Sequence, residues 1–407
     1  MTERMTSGTG TNGIPDRAQV VIIGGGIAGC SVAYHLTKLG WRDVVLLERT
    51  QLTAGTTWHA AGLVVTGTFA TETSINMSKY SRDLYARLEK ETGQDTGFRP
   101  VGYLQIASNP ERMDKLRRVT DFVRGFGIDV EEISPSEVAK MWPLFDTSDV
   151  LAGFYTPDDG RANPVDVTMA LAKGARMGGA RILEGVRVTG ITQTKGRVTG
   201  VSTERGTIEA DYVVNCGGMW AREIGAMAGV NVPLHAAEHY YLITEPIEGI
   251  HRDLPIVEDP DLFAYFREEA GGKLMVGMFE PVAGPWGMGG IPEDFSFGEL
   301  SPDWERLTPY LDAAMERIPV AKSAGIHQLF CGPESFTPDM NPLIGEAPEL
   351  ANFFALHGAS LFLLASSGTR AKVSGRNRGG ARLLARNDRL TRHWQRPRAT
   401  PLPRVCH

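Results

Sequence analysis

Residues Ala18 to Arg49 read AQVVIIGGGIAGCSVAYHLTKLGWRDVVLLER. The order of signals predicts strand, turn, helix, strand. Val20 to Ile23 is an unbroken apolar run, as expected of a parallel strand buried on both faces. Gly24, Gly26 and Gly29 follow in GxGxxG spacing. Ala33, Leu36, Thr37 and Leu39 then set a helical stripe that stops at Gly40. Val44 to Leu47 reads as a second strand and runs into Glu48. Each position has a physical task. Gly24 permits the tight turn, Gly26 lets backbone N–H groups approach a pyrophosphate, and Gly29 lets helix and strand pack closely. Glu48, about 20 residues past the glycines, places a carboxylate at the ribose hydroxyls and repels a 2′-phosphate. The segment is read as a dinucleotide-binding unit.

This motif alone does not separate NAD from FAD. The continuation does. After Arg49 the chain enters a long loop of small residues, TAGTTWHAAGLV (Thr53 to Val64), rather than another short βα unit. Such a loop allows close backbone approach and fits a flat isoalloxazine ring.

The wider chain excludes several classes. It has 407 residues and a net charge of −6, which disfavours nucleic acid as a partner. Its four cysteines show no CxxC spacing, so no zinc site or disulfide frame is expected. His235 and His239 lie on a segment that reads as strand, where their spacing does not suit a metal. No metal site is expected. No apolar run approaches membrane-span length, and residues 1–16 read as a polar, disordered lead-in rather than a targeting signal. The cytoplasm is the expected compartment.

Further along, Ile75, Met77, Tyr80, Leu84 and Leu88 predict a helix over 72–92. VGYLQIA reads as a strand, and Ser134 with Glu137 forms a capping-box pattern. This region is expected to pack over the nucleotide domain. Hairpin turns fall at Lys195-Gly196 and Arg205-Gly206. ADYVVNCGGMWA reads as a buried strand ending in a second glycine turn, with Cys216 as a small buried residue. EHYYLIT, LFAYFREE and KLMVGMFEP predict an antiparallel sheet. Pro281 to Pro292 reads either as a cover over the site or as a long connection. DWERLTPYLDAAMERIP reads as an amphipathic helix.

The fingerprint, GTTWHAAGLV, EHYYLIT, AYFREE and CGPESFTPDMNPLIGEAP together resemble the flavin amine oxidoreductases of the dimethylglycine/sarcosine dehydrogenase group. These have a D-amino-acid-oxidase-like fold. The resemblance covers about residues 17–358. It implies an α/β architecture: a Rossmann-like FAD-binding domain (17–232 and 326–359) with a mainly antiparallel substrate domain (233–325). It implies FAD bonded covalently through His59 to the flavin 8α-methyl carbon. Arg49, Val186, Gly332 and Thr337 are placed along the cofactor with Gly24, Gly26, Gly29 and Glu48. His239 and Tyr265 match a histidine and a tyrosine at the substrate site, with Tyr241 and Arg267 as second choices. The implied reaction oxidises an N-methylated amino acid by hydride transfer from the N-methyl carbon. The electron acceptor is not specified. Other readings are a glycine or D-amino-acid oxidase of the same fold, or a truncated, non-catalytic flavin-fold protein with a polyanion-binding tail.

The family pattern breaks at Ser360. From there the chain carries ten arginines and one lysine against one acid, Asp388, a net +10 that leaves −16 on the preceding residues. A shifted reading frame, a basic tail for polyanions and a divergent closure of the flavin domain are the three readings of 360–407. The folate-binding half that many family members carry is not expected within this chain.

Overall fold

The computed structural model describes residues 13–357. The basic tail from residue 360 lies outside them. Two sheets organise the fold. The first has a parallel centre, in the order Phe353–His357, Gly206–Asn215, Arg17–Ile23, Val44–Leu47, Arg181–Leu183. Its strands are apolar on both faces because both are covered. Val20 and Ile22 pack under the helices Ile27–Lys38 and Pro164–Met177, whereas Val21 and Ile23 pack against the opposite layer. The stripe read on the first helix ends sooner than expected. Leu39 caps it and is exposed.

Register decides where the site lies. Ile23 pairs with Leu47 on one side and Asn215 on the other, and Asn215 pairs with Ala355. The carboxyl ends of four strands are therefore level. Gly24, Glu48, Cys216 and His357 all emerge at one edge, the usual ligand crevice of a parallel sheet.

The second sheet runs Pro285–Trp286, His235–Thr244, Lys273–Met278, Ala264–Glu269, Ile256–Asp259, Tyr103–Ala107, Ala152–Thr156, Glu131–Ile133, with Ile326–Phe336 added beside His235–Thr244. All its pairings are antiparallel except that of Ile256–Asp259 with Tyr103–Ala107. This corrects two expected boundaries. The strands at 103–107, 131–133 and 152–156 precede the range 233–325 yet join its sheet. Ile326–Phe336, assigned from sequence to the FAD domain, also belongs to the second sheet until its end. A fully buried strand carries no mark of which sheet it will join, because partner choice rests on contacts distant in sequence. The lead-in also ends earlier than residue 16. Ile14 is buried in the nucleotide-domain core, and the Asp16 carbonyl accepts the Glu209 N–H at 2.9 Å.

The two faces of the second sheet have different tasks. Tyr240, Phe266, Leu274 and Val276 pack with the helix Trp304–Arg317. Ile243, Tyr265 and Met275 face the other way, against Ala61, Leu63 and Val65 of the small-residue loop. Period-2 alternation thus turns one row of side chains toward the nucleotide domain.

Candidate active site

The carboxyl edge of the first sheet opens into a cavity of about 450 Å³. Gly24, Gly26, Glu48, Arg49 and Val186 line it, as do Cys216 and Gly218 of the second glycine turn. Gly24 has φ +110°, and a Cβ there would stand 2.4 Å from the Cys216 carbonyl oxygen. Gly29 is set back from the cavity, where a Cβ would meet the Gly24 carbonyl oxygen at 1.9 Å. Gly26 caps the first helix and leaves its N-terminus bare of side chain toward the cavity. Thr57, not singled out from sequence, accepts the Ile27 N–H at 3.1 Å and also lines the wall.

The acid and the arginine after the second strand do more than meet a ligand. Glu48 Oε2 accepts the Gly25 N–H at 2.7 Å, and Oε1 accepts the Thr50 N–H at 2.9 Å. It braces the glycine turn and keeps lone pairs for further donors. The Arg49 guanidinium lies 4.0 Å from the Trp220 ring centre. It donates to the carbonyls of Glu293 (3.2 Å) and Phe295. The long loop after Pro281 is thereby held in place, and its Gly290, Ile291 and Glu293 form part of the cavity wall. The Val186 N–H is already used by the Glu48 carbonyl at 2.8 Å, so Val186 offers the cavity no backbone donor.

Thr337 is placed differently from expectation. Its hydroxyl donates to the Asn341 carbonyl at 2.7 Å in a turn, and Glu334 and Ser335 stand at the wall instead. Gly332 also lies off the wall. It makes room for a histidine: a Cβ there would stand 2.7 Å from His59 Cε1.

His59 sits at the end of a short 3₁₀ turn, Thr57–His59, buried between Trp58 and Phe330. Its Nε2 has no hydrogen-bond partner among the described residues. Burial, helped by the charge of His239, depresses its pKa to about 3. The imidazole is therefore neutral, with an available nitrogen lone pair.

Beside His59 lies a small inner pocket of about 10 Å³, on the scale of a single water. His59, Ala61, His239, Tyr241, Tyr265, Phe330 and Glu334 line it. Register explains the gathering. Phe330, Tyr241, Gly277, Tyr265 and Glu258 are successive cross-strand partners, so they share one face. Tyr241 stacks on Phe330 at 4.8 Å. Tyr265 is 1% exposed, and burial pushes its phenol pKa well up. His239 Nδ1 is 3.6 Å from Glu280 Oε2, whose side chain is 2% exposed. Burial pulls the His239 pKa down, but Glu280 and Glu334 outweigh it and the net shift is upward. Arg267 stands farther along the face, electrostatically coupled to Tyr241 and Tyr265. Its η nitrogens hold the Glu268 carbonyl (2.9 Å) and Glu269 (2.8 Å), while Nε is buried with no partner among the described residues.

Comparison with known proteins decides the family. The model of the FAD dependent oxidoreductase (DAO) family matches residues 19–369. The chain belongs to this family. It is 43% identical to human mitochondrial sarcosine dehydrogenase, over 84% of this chain and 37% of that protein. It is 37% identical to rat mitochondrial dimethylglycine dehydrogenase, over 88% of this chain and 43% of that one. It is 38% identical to the mouse mitochondrial pyruvate dehydrogenase phosphatase regulatory subunit, over 88% and 41%. The chain thus spans less than half the length of these relatives. Among solved structures, L-proline dehydrogenase from P. horikoshii superposes with a TM-score of 0.77 at 29% identity, covering 87% of this chain and 91% of that one.

The residues present fit the cofactor of a FAD dependent oxidoreductase. Trp220 Nε1, Glu223 Oε2 and His357 Nε2 all belong to residues lining the large cavity, and all are buried with no partner among the described residues. Each such orphan costs about 1–3 kcal/mol when left unpaired. In the same cavity the bare helix N-terminus at Gly26 suits a pyrophosphate, and Glu48 keeps lone pairs for ribose hydroxyls. Among the described residues no helix is long and apolar enough to cross a membrane.

Proposed function

We propose that this FAD dependent oxidoreductase oxidises an N-methylated amino acid of the sarcosine or dimethylglycine type at its N-methyl carbon. One observation carries the reading. The unpartnered nitrogen of His59 lies between loop residues that line the cofactor cavity and a pocket holding His239 and Tyr265. A neutral, buried imidazole is the form suited to bond to the flavin, and the reading assigns His59 that tether.

FAD, when bound, accepts the two electrons of the substrate as hydride. The chain's residues bind, orient and keep water out. The pocket closed by Tyr241, Phe330 and Ala61 is apolar on three sides, which holds the reacting carbon in a dry site. Tyr265 offers a phenol hydroxyl, and His239, its pKa held up by Glu280, offers a ring N–H to the substrate carboxylate. Arg267 Nε is the reserve donor for a longer carboxylate arm. The iminium formed by oxidation hydrolyses to formaldehyde and the demethylated amine.

The test is a substrate panel on the purified full chain, with acid precipitation of the yellow protein. Formaldehyde from sarcosine or dimethylglycine supports the reaction, and a fluorescent pellet lost in His59→Ala supports the tether. A 2-oxo acid from a D-amino acid would move the activity to deamination. A flavin-loaded protein that turns over none of these would overturn the enzymatic reading and favour a regulatory role, in keeping with the name of one relative.

A further inference from the structure

One acid stands where the two cavities meet. Glu334, on the strand Ile326–Phe336, lines both the cofactor cavity and the inner pocket. It is 7% exposed. No hydrogen bond or ion pair from a described residue reaches its carboxylate, although buried charges are ordinarily paired. The groups around it come from four elements. The strand His235–Thr244 presents His239 and Tyr241, and the strand Ala264–Glu269 presents Tyr265. The turn after Met278 presents Glu280, and the small-residue loop presents His59. His59 is neutral. His239 lies 3.6 Å from Glu280 and acts electrostatically on Glu334 as well. Glu280 and Glu334 thus set two carboxyl groups against one histidine, and among the described residues lining the inner pocket Glu334 is the acid.

We propose that Glu334 receives the ammonium group of the substrate and takes its proton before the C–H bond breaks. The inference rests on the amine-oxidising reading above. In this step an N–H bond breaks and its electron pair stays on nitrogen. The proton goes to a Glu334 oxygen, so ammonium and carboxylate become free amine and carboxylic acid. No electrons are transferred. A low-dielectric site favours the exchange, since it replaces two charges by two neutral groups. Burial raises the Glu334 pKa, partly offset by His239, which moves the acid toward the amine in proton affinity. The freed lone pair then favours loss of hydride from the N-methyl carbon, for which FAD, when bound, would be the acceptor. The site selects secondary and tertiary amines in their protonated form. It binds a quaternary ammonium without being able to activate it.

The experiment compares two probes on the flavin-loaded full chain, read by perturbation of the flavin spectrum. Trimethylglycine carries a quaternary ammonium with no proton to give, and methoxyacetate keeps the carboxylate but puts a neutral ether oxygen in place of the cationic nitrogen. Wild type is expected to bind the cation at least about tenfold more tightly, as expected for a contact between charged groups. In Glu334→Gln that preference falls to near one. Turnover at neutral pH falls by about 100-fold and recovers as rising pH deprotonates the free amine. Glu334→Asp keeps the cation preference. Equal binding of the two probes by wild type overturns the proposal, even if Glu334→Gln does not fold. An unchanged pH profile in a flavin-loaded Glu334→Gln also overturns it. Wild type that prefers the cation but oxidises no amine defeats the amine-oxidising reading and leaves Glu334 as a cation receptor.

Discussion

The ring of Tyr265 occupies the place where residue 277 would carry a side chain. A Cβ on Gly277 would stand 1.8 Å from Tyr265 Cζ. Gly277 pairs with Tyr265 on one side and Tyr241 on the other. The glycine therefore lets one phenol lie across the sheet toward its neighbour and toward the inner pocket.

Gly277→Ala is expected to displace Tyr265 and to cost about 1–3 kcal/mol of stability, the usual penalty of overpacking. Turnover should fall more than flavin content, since the cofactor cavity is untouched. Thermal unfolding and steady-state kinetics on the same preparation check this. Unaltered kinetics would show that Tyr265 does not need its observed position.

Glu280→Gln removes a carboxylate that holds the His239 pKa up. The His239 pKa should fall, because an opposite charge at this range stabilises the imidazolium. Weakening of substrate binding with rising pH should then set in at lower pH. The pH dependence of KM, or a proton NMR titration of His239, reports it. A pH profile that stays put would remove Glu280 from this role.

Acidification should destabilise the fold through His357. Burial lowers its pKa from the ordinary 6.5 to about 4, with a partial offset from the Asn215 carbonyl at 3.3 Å. The unfolded chain therefore binds the proton first. The contribution is present above pH 6.5 and is lost as pH falls toward 4. At pH 5 the loss is about 2 kcal/mol relative to pH 7.5. His59, depressed further, acts in the same direction. Melting temperature against pH for wild type and His357→Gln checks the sign, and the variant should show the shallower slope.

Arg49→Ala should loosen the loop after Pro281. The guanidinium stacks on Trp220 and donates to two of the loop's carbonyls, and Arg187 adds a 3.1 Å ion pair to Glu293. Limited proteolysis within 287–298 should speed up by about tenfold, the equivalent of one charge-assisted hydrogen bond. An unchanged cleavage rate would mean that the loop is held elsewhere, as by the Phe297 N–H bond to the Ala54 carbonyl at 2.9 Å.

Local elements were largely legible. The helix expected over 72–92 is found at Glu72–Thr92, and the Ser134/Glu137 capping box forms as read. The turn at Lys195-Gly196 forms with both residues at positive φ. The next hairpin is displaced by one residue, since Thr203 pairs with Gly206 and the turn is Glu204-Arg205. The site was legible only in part. His59, His239 and Tyr265, proposed through resemblance, meet in one pocket, whereas Thr337 turns away from the cavity. Glu280 carries no local mark of its place in the pocket, and Glu334 stands out only as part of the segment expected along the flavin. Gly277 did carry a signal, because an isolated glycine inside a strand marks close approach.

By itself the sequence determined the parallel unit with its glycine turn, the helix caps and the small-residue loop that carries His59. These depend on backbone sterics, capping hydrogen bonds and apolar periodicity within a few residues. Tertiary structure alone decided that Ile326–Phe336 would lie beside His235–Thr244, setting Glu334 next to His239 and the cofactor cavity. That choice rests on strand register, where a slip of one residue turns every side chain to the other face. The charge of the pocket is therefore a property of pairing between segments about ninety residues apart, and no local pattern encodes it.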